Sequence, residues 1–376
     1  MRGDTTNFRE LFLGDLPLLD VRAPIEFHKG AFPQAVNLPL MTDAERHEVG
    51  IRYKRQGQAA ALALGHSLVA DEVRAARLAG WMAFAAANPK GYVYCFRGGL
   101  RSSIVQQWLN EAGVAYPKVA GGYKAMRQFL IDQLEQAAAE CKLMVLGGMT
   151  GTGKTDVLQQ VPYGLDLEGH AHHRGSSFGK HALGQPVQID FENRLSIDIL
   201  KKRAAGYEGL VLEDESRMIG SCSLPLPLYQ AMQHAPIVWL EDSFDQRVER
   251  ILRDYVVDLC AEYTGLFGED AGFEQFAQRL RCSLDKLVRR LGAERHQRLA
   301  ALMDAALLSQ SRRGAIDAHR AWISALLSEY YDPMYVYQRG LKASRIVLVG
   351  SRHEVLQALR ENALPAWHRA PNRSVS

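Results

Sequence analysis

Residues 141–155 read CKLMVLGGMTGTGKT, an apolar run followed by closely spaced glycines, a lysine and a threonine. Gly148 to Thr155 fits the pattern G-x-x-x-x-G-K-[ST] of a phosphate-binding loop. The apolar run before the motif predicts a strand, and the residues after it predict a helix. Because the motif requires this strand, loop and helix context, the stretch predicts an α/β domain that binds phosphate.

The predicted loop offers three kinds of contact to a phosphate or diphosphate group. Backbone N–H groups beside the glycines contact phosphate oxygens, and Lys154 adds a positive charge. The Thr155 hydroxyl is of the kind that holds Mg²⁺ in such loops. The residues assigned to this site are Gly148, Gly151, Gly153, Lys154 and Thr155.

Two later stretches are candidates for the same site. Residues 210–215, LVLEDE, predict an apolar strand that ends in carboxylates, and either Asp214 or Glu215 is expected to face a metal ion. A solvated acidic turn is the alternative. Residues 167–179, LEGHAHHRGSSFG, contain three histidines without an acidic or cysteine partner at a spacing that completes a zinc site. No zinc site is therefore predicted, and the residues assigned to a substrate loop are His173, Arg174 and Ser176.

A second chemical motif lies in residues 91–113, GYVYCFRGGLRSSIVQQWLNEAG, which predict a strand, a tight loop and a helix. Cys95 then lies at the carboxyl end of the strand and before the helix N-terminus, where backbone N–H groups, the helix dipole and two arginines stabilise a thiolate. A buried cysteine that merely ends a strand is the alternative, but the surrounding residues favour a nucleophile or chalcogen carrier. Cys95 is assigned as catalytic, and an anionic donor is assigned to Arg97, Gly98, Gly99, Arg101 and Ser102.

The first part of the chain resembles the rhodanese superfamily in this cysteine loop and in three further landmarks, Asp20-Val21-Arg22, Glu26-Phe27 with Gly30, and Gly121-Gly122-Tyr123. Five residues separate Cys95 from Arg101, one more than in the commonest sulfurtransferase form. The loop is therefore also similar to the C-x5-R-S cradle of cysteine phosphatases. Tyr94 stands where those enzymes typically have a histidine, and no general-acid aspartate is assigned.

Both motifs together, with the stretches YKRQG, HRGSSFG and EDESRMIG, resemble the tRNA 2-selenouridine synthase family over nearly the whole chain. The resemblance implies an α/β protein with an N-terminal rhodanese-like domain over residues 1–135. A C-terminal P-loop NTPase-like α/β domain with a helical extension would cover residues 136–376. It also implies that 2-thiouridine at the wobble position of tRNA becomes 2-selenouridine with selenophosphate as donor, through an S-geranyl intermediate made from geranyl diphosphate.

The same resemblance implies site roles. Cys95 would carry or direct selenium, the cysteine loop would hold the donor, and the phosphate loop would hold the diphosphate. Gly65 is assigned to the prenyl side. No tightly bound cofactor is expected, and Mg²⁺ is the metal ion that the phosphate loop would bind.

Binding of the tRNA anticodon region requires a positive surface. Residues 286–320 carry eight Lys and Arg against three acids. A solvated helical face is the alternative for any single cation, but the cluster favours contact with RNA phosphates. The residues assigned to tRNA are Arg289, Arg290, Arg295, Arg298, Arg312 and Arg313.

Other functions stay open at this level. The main alternative is an ATP-dependent tRNA sulfurtransferase that uses a Cys95 persulfide. A small-molecule kinase or a non-catalytic recognition module would leave one of the two motifs unexplained. The five cysteines contain no CxxC pair, and no apolar stretch approaches the roughly 20 residues of a membrane helix. We therefore expect a cytoplasmic protein without a membrane partner, favour a monomer, and expect a loose tail in the last dozen residues.

Overall fold

The computed structural model describes residues 2–361. They form two units. The first holds the chain up to Gln136 together with Val187–Ala205, and the second holds Ala137–Pro186 and the chain from Gly206 onward. The expected border after residue 135 lies one residue from this division, but residues 187–205 belong to the first unit and not to the second. The expected C-terminal tail lies outside the described residues.

The strands confirm the α/β character of both units. They form two parallel sheets and a two-stranded antiparallel ribbon. Within residues 2–361 the strands are β1 Leu18–Asp20, β2 Ala35–Asn37, β3 Tyr92–Tyr94, β4 Lys142–Gly148, β5 Gly164–Leu165, β6 Gly209–Glu213, β7 Met218–Ile219, β8 Cys222–Ser223, β9 Ile237–Leu240 and β10 Ile346–Gly350.

Helices make up most of the remaining chain. They are α1 Phe8–Leu13, α2 Pro24–Phe27, α3 Asp43–Leu68, α4 Asp71–Ala87, α5 Leu100–Glu111, α6 Gly122–Glu140, α7 Lys154–Leu158, α8 Leu167–His170, α9 Gln188–Ala204, α10 Leu226–His234, α11 Phe244–Leu252, α12 Asp258–Phe267, α13 Glu269–Asp285, α14 Val288–Leu291, α15 Ala293–Arg313, α16 His319–Leu326, α17 Asp332–Leu341 and α18 Arg352–Arg360. None of the helices in the described range is long and apolar enough to cross a membrane.

The first unit has a parallel sheet in the order β2-β1-β3. Successive strand residues point to opposite faces of a sheet, so Leu19 and Val93 pack on one side with α4 and α5 while Leu18 and Tyr94 pack on the other with α1, α6 and α9. Two parallel bridges, Val93 to Lys118 and Thr5 to Val119, extend the sheet beyond β3. The cysteine loop follows β3, which lies beside the central strand β1.

The second unit has a parallel sheet in the order β10-β9-β4-β6-β5. The central strand β4 pairs with β6 on one side and with β9 on the other. Because the chain runs from β4 toward one edge of the sheet and only later fills the other side, β4 ends at a topological switch point, where ligands bind in open α/β sheets. The phosphate loop lies at that end of β4.

Helices α11 to α17 form the predicted helical extension of the second unit, around a core that includes Phe276, Leu280 and Trp322. Two π-helical turns interrupt it, Arg253–Val257 between α11 and α12 and Leu327–Tyr331 between α16 and α17. Such turns insert an extra residue into a helix and often lie at functional sites. Here the first turn carries Tyr255, which lines the phosphate-loop pocket.

A buried ion pair lies at the centre of the first unit. Asp20 is 0% exposed and Arg22 is 1% exposed. Arg22 Nε donates to Asp20 Oδ2 at 2.8 Å, Arg22 Nη2 donates to Gly30 O at 2.9 Å, and the Tyr94 hydroxyl donates to Asp20 Oδ2 at 2.6 Å. Burial lowers the pKa of Arg22, but the hydrogen bonds and charge of Asp20 outweigh this effect and raise it.

Asp20→Asn is expected to lower the unfolding free energy of the first unit by about 3–5 kcal/mol, because it leaves the Arg22 charge buried without its partner. Hydrogen exchange of peptides covering β1 and β3 measures the loss. Arg74→Gln is the control, since the Arg74–Glu111 pair lies at the surface and such pairs contribute about 0–1 kcal/mol. Equal losses in the two variants would contradict a central role for the buried pair.

Candidate functional site

The cysteine loop has the strand, turn and helix geometry that the sequence predicts. Cys95 follows β3 directly and is 1% exposed. Gly98 and Gly99 adopt φ values of 71° and 77°, which turn the chain into α5. The Ser102 hydroxyl lies 3.4 Å from Cys95 Sγ and 3.0 Å from Gly99 O, so its single hydrogen is available to either acceptor. The buried sulfur therefore has one polar neighbour at the start of α5.

The start of α6 fixes the other side of this loop. The backbone N–H of Tyr123 donates to Cys95 O at 2.8 Å, and that of Lys124 donates to Phe96 O at 3.0 Å. Gly122 has a φ of 59°, and a Cβ there would lie 2.4 Å from Cys95 O. The glycine pair noted in the sequence therefore lets a helix end approach the cysteine backbone.

The two arginines of the loop differ in their surroundings. Arg97 is exposed and forms no ion pair within the described part of the chain. Arg101 forms a two-pronged pair with Glu26, with Nη2 to Oε1 at 3.0 Å, and Arg46 Nε lies 3.1 Å from the same carboxylate. Burial raises the pKa of Glu26, but the hydrogen bonds and charges of its arginines outweigh it and lower the pKa. An anion near Arg101 therefore competes with a carboxylate already in place.

Helix α3, which the sequence analysis did not predict, is a hairpin of two helical arms. Gly57 breaks the helix with φ 80° and ψ −176°, and a Cβ on Gly65 in the second arm would lie 3.8 Å from Val49 in the first. An apolar cavity of ≈ 650 Å³ lies against both arms and α5. Its lining includes Gly65 and Arg101, so the residue assigned to the prenyl side and an arginine of the cysteine loop border the same cavity. Further lining residues are Leu40, Leu62, Ile104 and Trp108.

The phosphate loop joins β4 to α7. Lys154 Nζ donates to Gly148 O at 3.2 Å. Helix α11 supports the loop from outside, because Arg247 Nε donates to Thr150 O at 2.9 Å and Arg250 Nη1 donates to Gly151 O. Neither arginine was identified from the sequence, which gives no signal for a contact about 100 residues away along the chain.

Glu213, the last residue of β6, is the carboxylate beside the loop. It is 0% exposed, and the Thr155 hydroxyl donates to its Oε1 at 3.2 Å. The sequence analysis expected Asp214 or Glu215 at this position. Asp214 instead accepts two hydrogen bonds from Lys342 Nζ, both at 2.7 Å. Burial and the neighbouring carboxylates raise the pKa of Glu213 well above its ordinary value.

A hydroxyl and a carboxylate side by side are hard oxygen donors and suit Mg²⁺, which takes one or two carboxylates together with substrate phosphates. Among residues 2–361 no group of three or more His, Cys, Asp and Glu side chains is arranged to hold a metal ion. A cation at Thr155 and Glu213 would therefore depend on a bound phosphate for its remaining ligands.

A second carboxyl pair lies next to Lys154. Glu215 and Glu168 are hydrogen-bonded to each other, and burial raises the pKa of both, that of Glu215 well above its ordinary value. Burial lowers the pKa of Lys154, but the charges of Tyr335, Glu168 and the nearby carboxylates outweigh it and raise it. The raised pKa keeps the lysine protonated, and its charge lies beside two carboxyl groups whose pKa values burial raises.

The predicted substrate loop contributes to the same pocket, which has a volume of ≈ 390 Å³. His173, Arg174 and Ser176 line it together with Lys154 and Thr155. Burial, with the nearby charges, lowers the pKa of His173 to about 4, so this histidine is neutral near pH 7. The Ser176 hydroxyl donates to the Tyr255 hydroxyl at 3.0 Å.

Comparison with known proteins identifies the family. A family model described as the tRNA 2-selenouridine synthase AAA domain matches residues 141–365. A protein from Bordetella bronchiseptica named tRNA 2-selenouridine synthase is 69% identical over 361 residues, which cover 96% of this chain and 98% of the relative. Proteins of the same name from Bordetella petrii and Ectopseudomonas mendocina are 65% and 62% identical, and each alignment covers 96% of this chain. The chain belongs to the tRNA 2-selenouridine synthase family.

In this member of the tRNA 2-selenouridine synthase family, the matched AAA domain begins at residue 141, one residue before β4. Most of the second unit therefore belongs to a P-loop AAA domain, and the match also includes residues 187–205, which pack in the first unit. The predicted phosphate-loop residues and the substrate loop come together in the second unit, with Glu213, Glu168 and Arg250 as additional members of the site.

The six arginines that the sequence assigns to tRNA differ in their partners. Arg290 Nη1 donates to the Tyr330 hydroxyl at 2.9 Å, and Arg298 forms a two-pronged pair with Glu329. Arg295 and Arg313 lie near opposite ends of α15, about 27 Å apart at 1.5 Å per residue. The remaining members of the set, Arg289 and Arg312, are exposed. The six arginines lie on two helices, α14 and α15, and their assignment to tRNA stays a prediction.

Gly122→Ala is expected to destabilise the cysteine loop by about 1–3 kcal/mol more than Gly113→Ala, the typical cost of forcing extra atoms into a packed site. Both substitutions place alanine in the left-handed region, which costs about 1–2 kcal/mol. Only at Gly122 does the new Cβ meet the backbone, since Gly113 has open space around it.

The measurement is hydrogen exchange of the peptide that covers residues 95–103. Near-equal exchange in the two variants would contradict the tight packing of α6 against the loop. Normal exchange in the second unit is the control for global folding.

Proposed function

We propose that this protein is a tRNA-modifying transferase that replaces the sulfur of 2-thiouridine, at the wobble position of tRNA, by selenium from selenophosphate. The observation that carries the proposal is the position of Cys95 at the end of β3 and before α5, in a chain 69% identical to a named tRNA 2-selenouridine synthase. A rhodanese-like first unit supplies this loop. Backbone N–H groups, Arg97 and Arg101 hold the anionic donor, and Cys95 directs its selenium.

The proposed reaction has two steps. In the first, the 2-sulfur of the uridine attacks the first carbon of geranyl diphosphate, a C–S bond forms, and diphosphate leaves. In the second, the selenium of selenophosphate displaces geranylthiolate from the uridine, and water then cleaves the P–Se bond and releases phosphate. Alkylation makes the sulfur a better leaving group, which is the reason for the first step.

The phosphate-loop pocket is proposed as the site of the first step. Lys154, Arg250 and backbone N–H groups are the groups that hold a diphosphate, and Thr155 with Glu213 is the pair that holds Mg²⁺ if the ion accompanies it. Neutralising the diphosphate stabilises it as a leaving group.

The apolar cavity beside the cysteine loop is proposed to receive the geranyl group in the second step. Its volume of ≈ 650 Å³ lies in the range of about 300–1,000 Å³ that is typical of small-molecule sites. Because the cavity borders Arg101 and α5, a geranyl chain in it would leave the uridine close to the loop that holds the donor. This arrangement gives Gly65 a role as part of the cavity wall.

The two steps should respond to different substitutions. Cys95→Ala is expected to abolish selenium incorporation while geranylation continues. Lys154→Ala is expected to slow geranylation by about 10- to 100-fold, the loss of one charge-assisted contact to phosphate, while tRNA that is already geranylated is still converted.

Mass spectrometry of nucleosides measures both products from 2-thiouridine tRNA, selenophosphate and geranyl diphosphate, with and without ATP. Formation of 2-selenouridine without ATP supports the proposal. A strict need for ATP would favour the sulfurtransferase alternative, and loss of both activities in both variants would contradict two separate steps.

Gly65→Phe is expected to block conversion of S-geranyl-2-thiouridine tRNA because the ring fills the cavity. Gly65→Ala is the matched control, since its Cβ would lie at an ordinary contact distance of 3.8 Å from Val49. Geranylation in the AAA domain should be unchanged in both variants. Full conversion of geranylated tRNA by the Gly65→Phe variant would contradict the proposal that the cavity receives the geranyl group.

A further inference from the structure

The tip of the α3 hairpin is exposed along its whole length. Every residue from 50 to 59 is exposed, although this segment lies inside a 26-residue helix. Apolar side chains are among them, since Tyr53 is 56% exposed and Ile51 is 38% exposed. We call residues 50–59 the hairpin tip. Because its side chains add little to the core, packing does not explain why this segment has its composition.

The hairpin tip is also positively charged. Arg52, Lys54 and Arg55 lie in a stretch from Val49 to Ala70 that contains no Asp or Glu. Arg52 donates to Gln56 at 3.1 Å, and none of the three cations forms an ion pair within residues 2–361. By contrast, Arg74 at the surface of the same unit is paired with Glu111. The charge of the tip is therefore available to a partner outside the chain.

We propose that the hairpin tip is the tRNA-binding element of the first unit, with Arg52, Lys54 and Arg55 on backbone phosphates and Tyr53 stacked on an unpaired base. The proposal rests on the proposed function, which supplies tRNA as the substrate. It names the part of the chain that recognises it.

Two observations favour RNA over other anionic partners. The sequence of the tip, I-R-Y-K-R, places an exposed aromatic ring between cations, which is the combination that single-stranded nucleic acid requires for stacking and phosphate contact. Tyr53 and Lys54 also line the apolar cavity that borders the cysteine loop. A base stacked on Tyr53 is thus held at the entrance to the proposed site of selenium transfer.

The test measures tRNA affinity against salt concentration. Each phosphate contact adds roughly 0.7–0.9 to the slope of log affinity against log salt. The triple variant Arg52→Gln, Lys54→Gln, Arg55→Gln is expected to reduce the slope by about 2–3 and to weaken binding of 2-thiouridine tRNA at least tenfold near physiological salt. The matched control replaces three other exposed cations of the first unit, Arg9, Lys29 and Lys90, by Gln and should leave the slope unchanged.

Tyr53 is tested separately. Tyr53→Ala should weaken binding by roughly tenfold through the loss of one stacked base, without a change in slope, and Tyr53→Phe should restore binding. Circular dichroism of each variant checks the helix content.

The possible outcomes distinguish failure of this inference from failure of the proposed function. If the wild-type protein binds tRNA and forms 2-selenouridine while the triple variant keeps its slope, the hairpin tip is not the binding element and the inference is wrong. If the wild-type protein does not bind tRNA, both the function and the inference are overturned. If the triple variant loses affinity for phosphatidylglycerol vesicles but not for tRNA, the tip binds lipid and the inference is likewise overturned.

Discussion

The buried pair of Asp20 and Arg22 holds the first unit together and, with it, the cysteine loop. Its partners come from every part of the sheet, because Asn37 of β2 donates to both backbone carbonyls of the pair and Tyr94 of β3 donates to the carboxylate. The Arg22 guanidinium lies 3.9 Å from the ring centre of Tyr123. Since Tyr94 precedes Cys95 and the backbone of Tyr123 binds the Cys95 carbonyl, a single buried charge orients both neighbours of the sulfur.

The sequence predicted the parts of the fold whose signals are local. The strands β4 and β6 are apolar runs with clear ends, and the phosphate-loop motif itself requires a strand before it and a helix after it. Helix α3 was not predicted because its tip is exposed on all sides and has no apolar stripe with a period of 3.6 residues. Helix α9 packs in the first unit, which no local signal indicates, because membership of a unit depends on tertiary packing, here of Asn193 against Ala31.

In the candidate sites, too, local motifs are predictable from the sequence and tertiary contacts are not. Glycines and Lys154 of the phosphate loop are fixed by a motif, so their positions follow from the sequence. The carboxylate of that site lies in a run of three acids, Glu213-Asp214-Glu215, and the choice among them depends on which one faces the loop. Glu213 ends β6 beside Thr155, whereas Asp214 lies beyond the strand and is paired with Lys342.

Burial of Cys95 limits the access of oxidants to its sulfur. A thiol that is 1% exposed is shielded from peroxide and from small disulfides, whose attack on cysteine depends on access as well as on thiolate character. Exposed loop residues on its carboxyl side, Phe96 and Arg97, take the contact with solvent instead. The fold thus protects the Cys95 thiol from sulfenic acid formation and glutathionylation, the side reactions to which a reactive thiolate at a protein surface is prone.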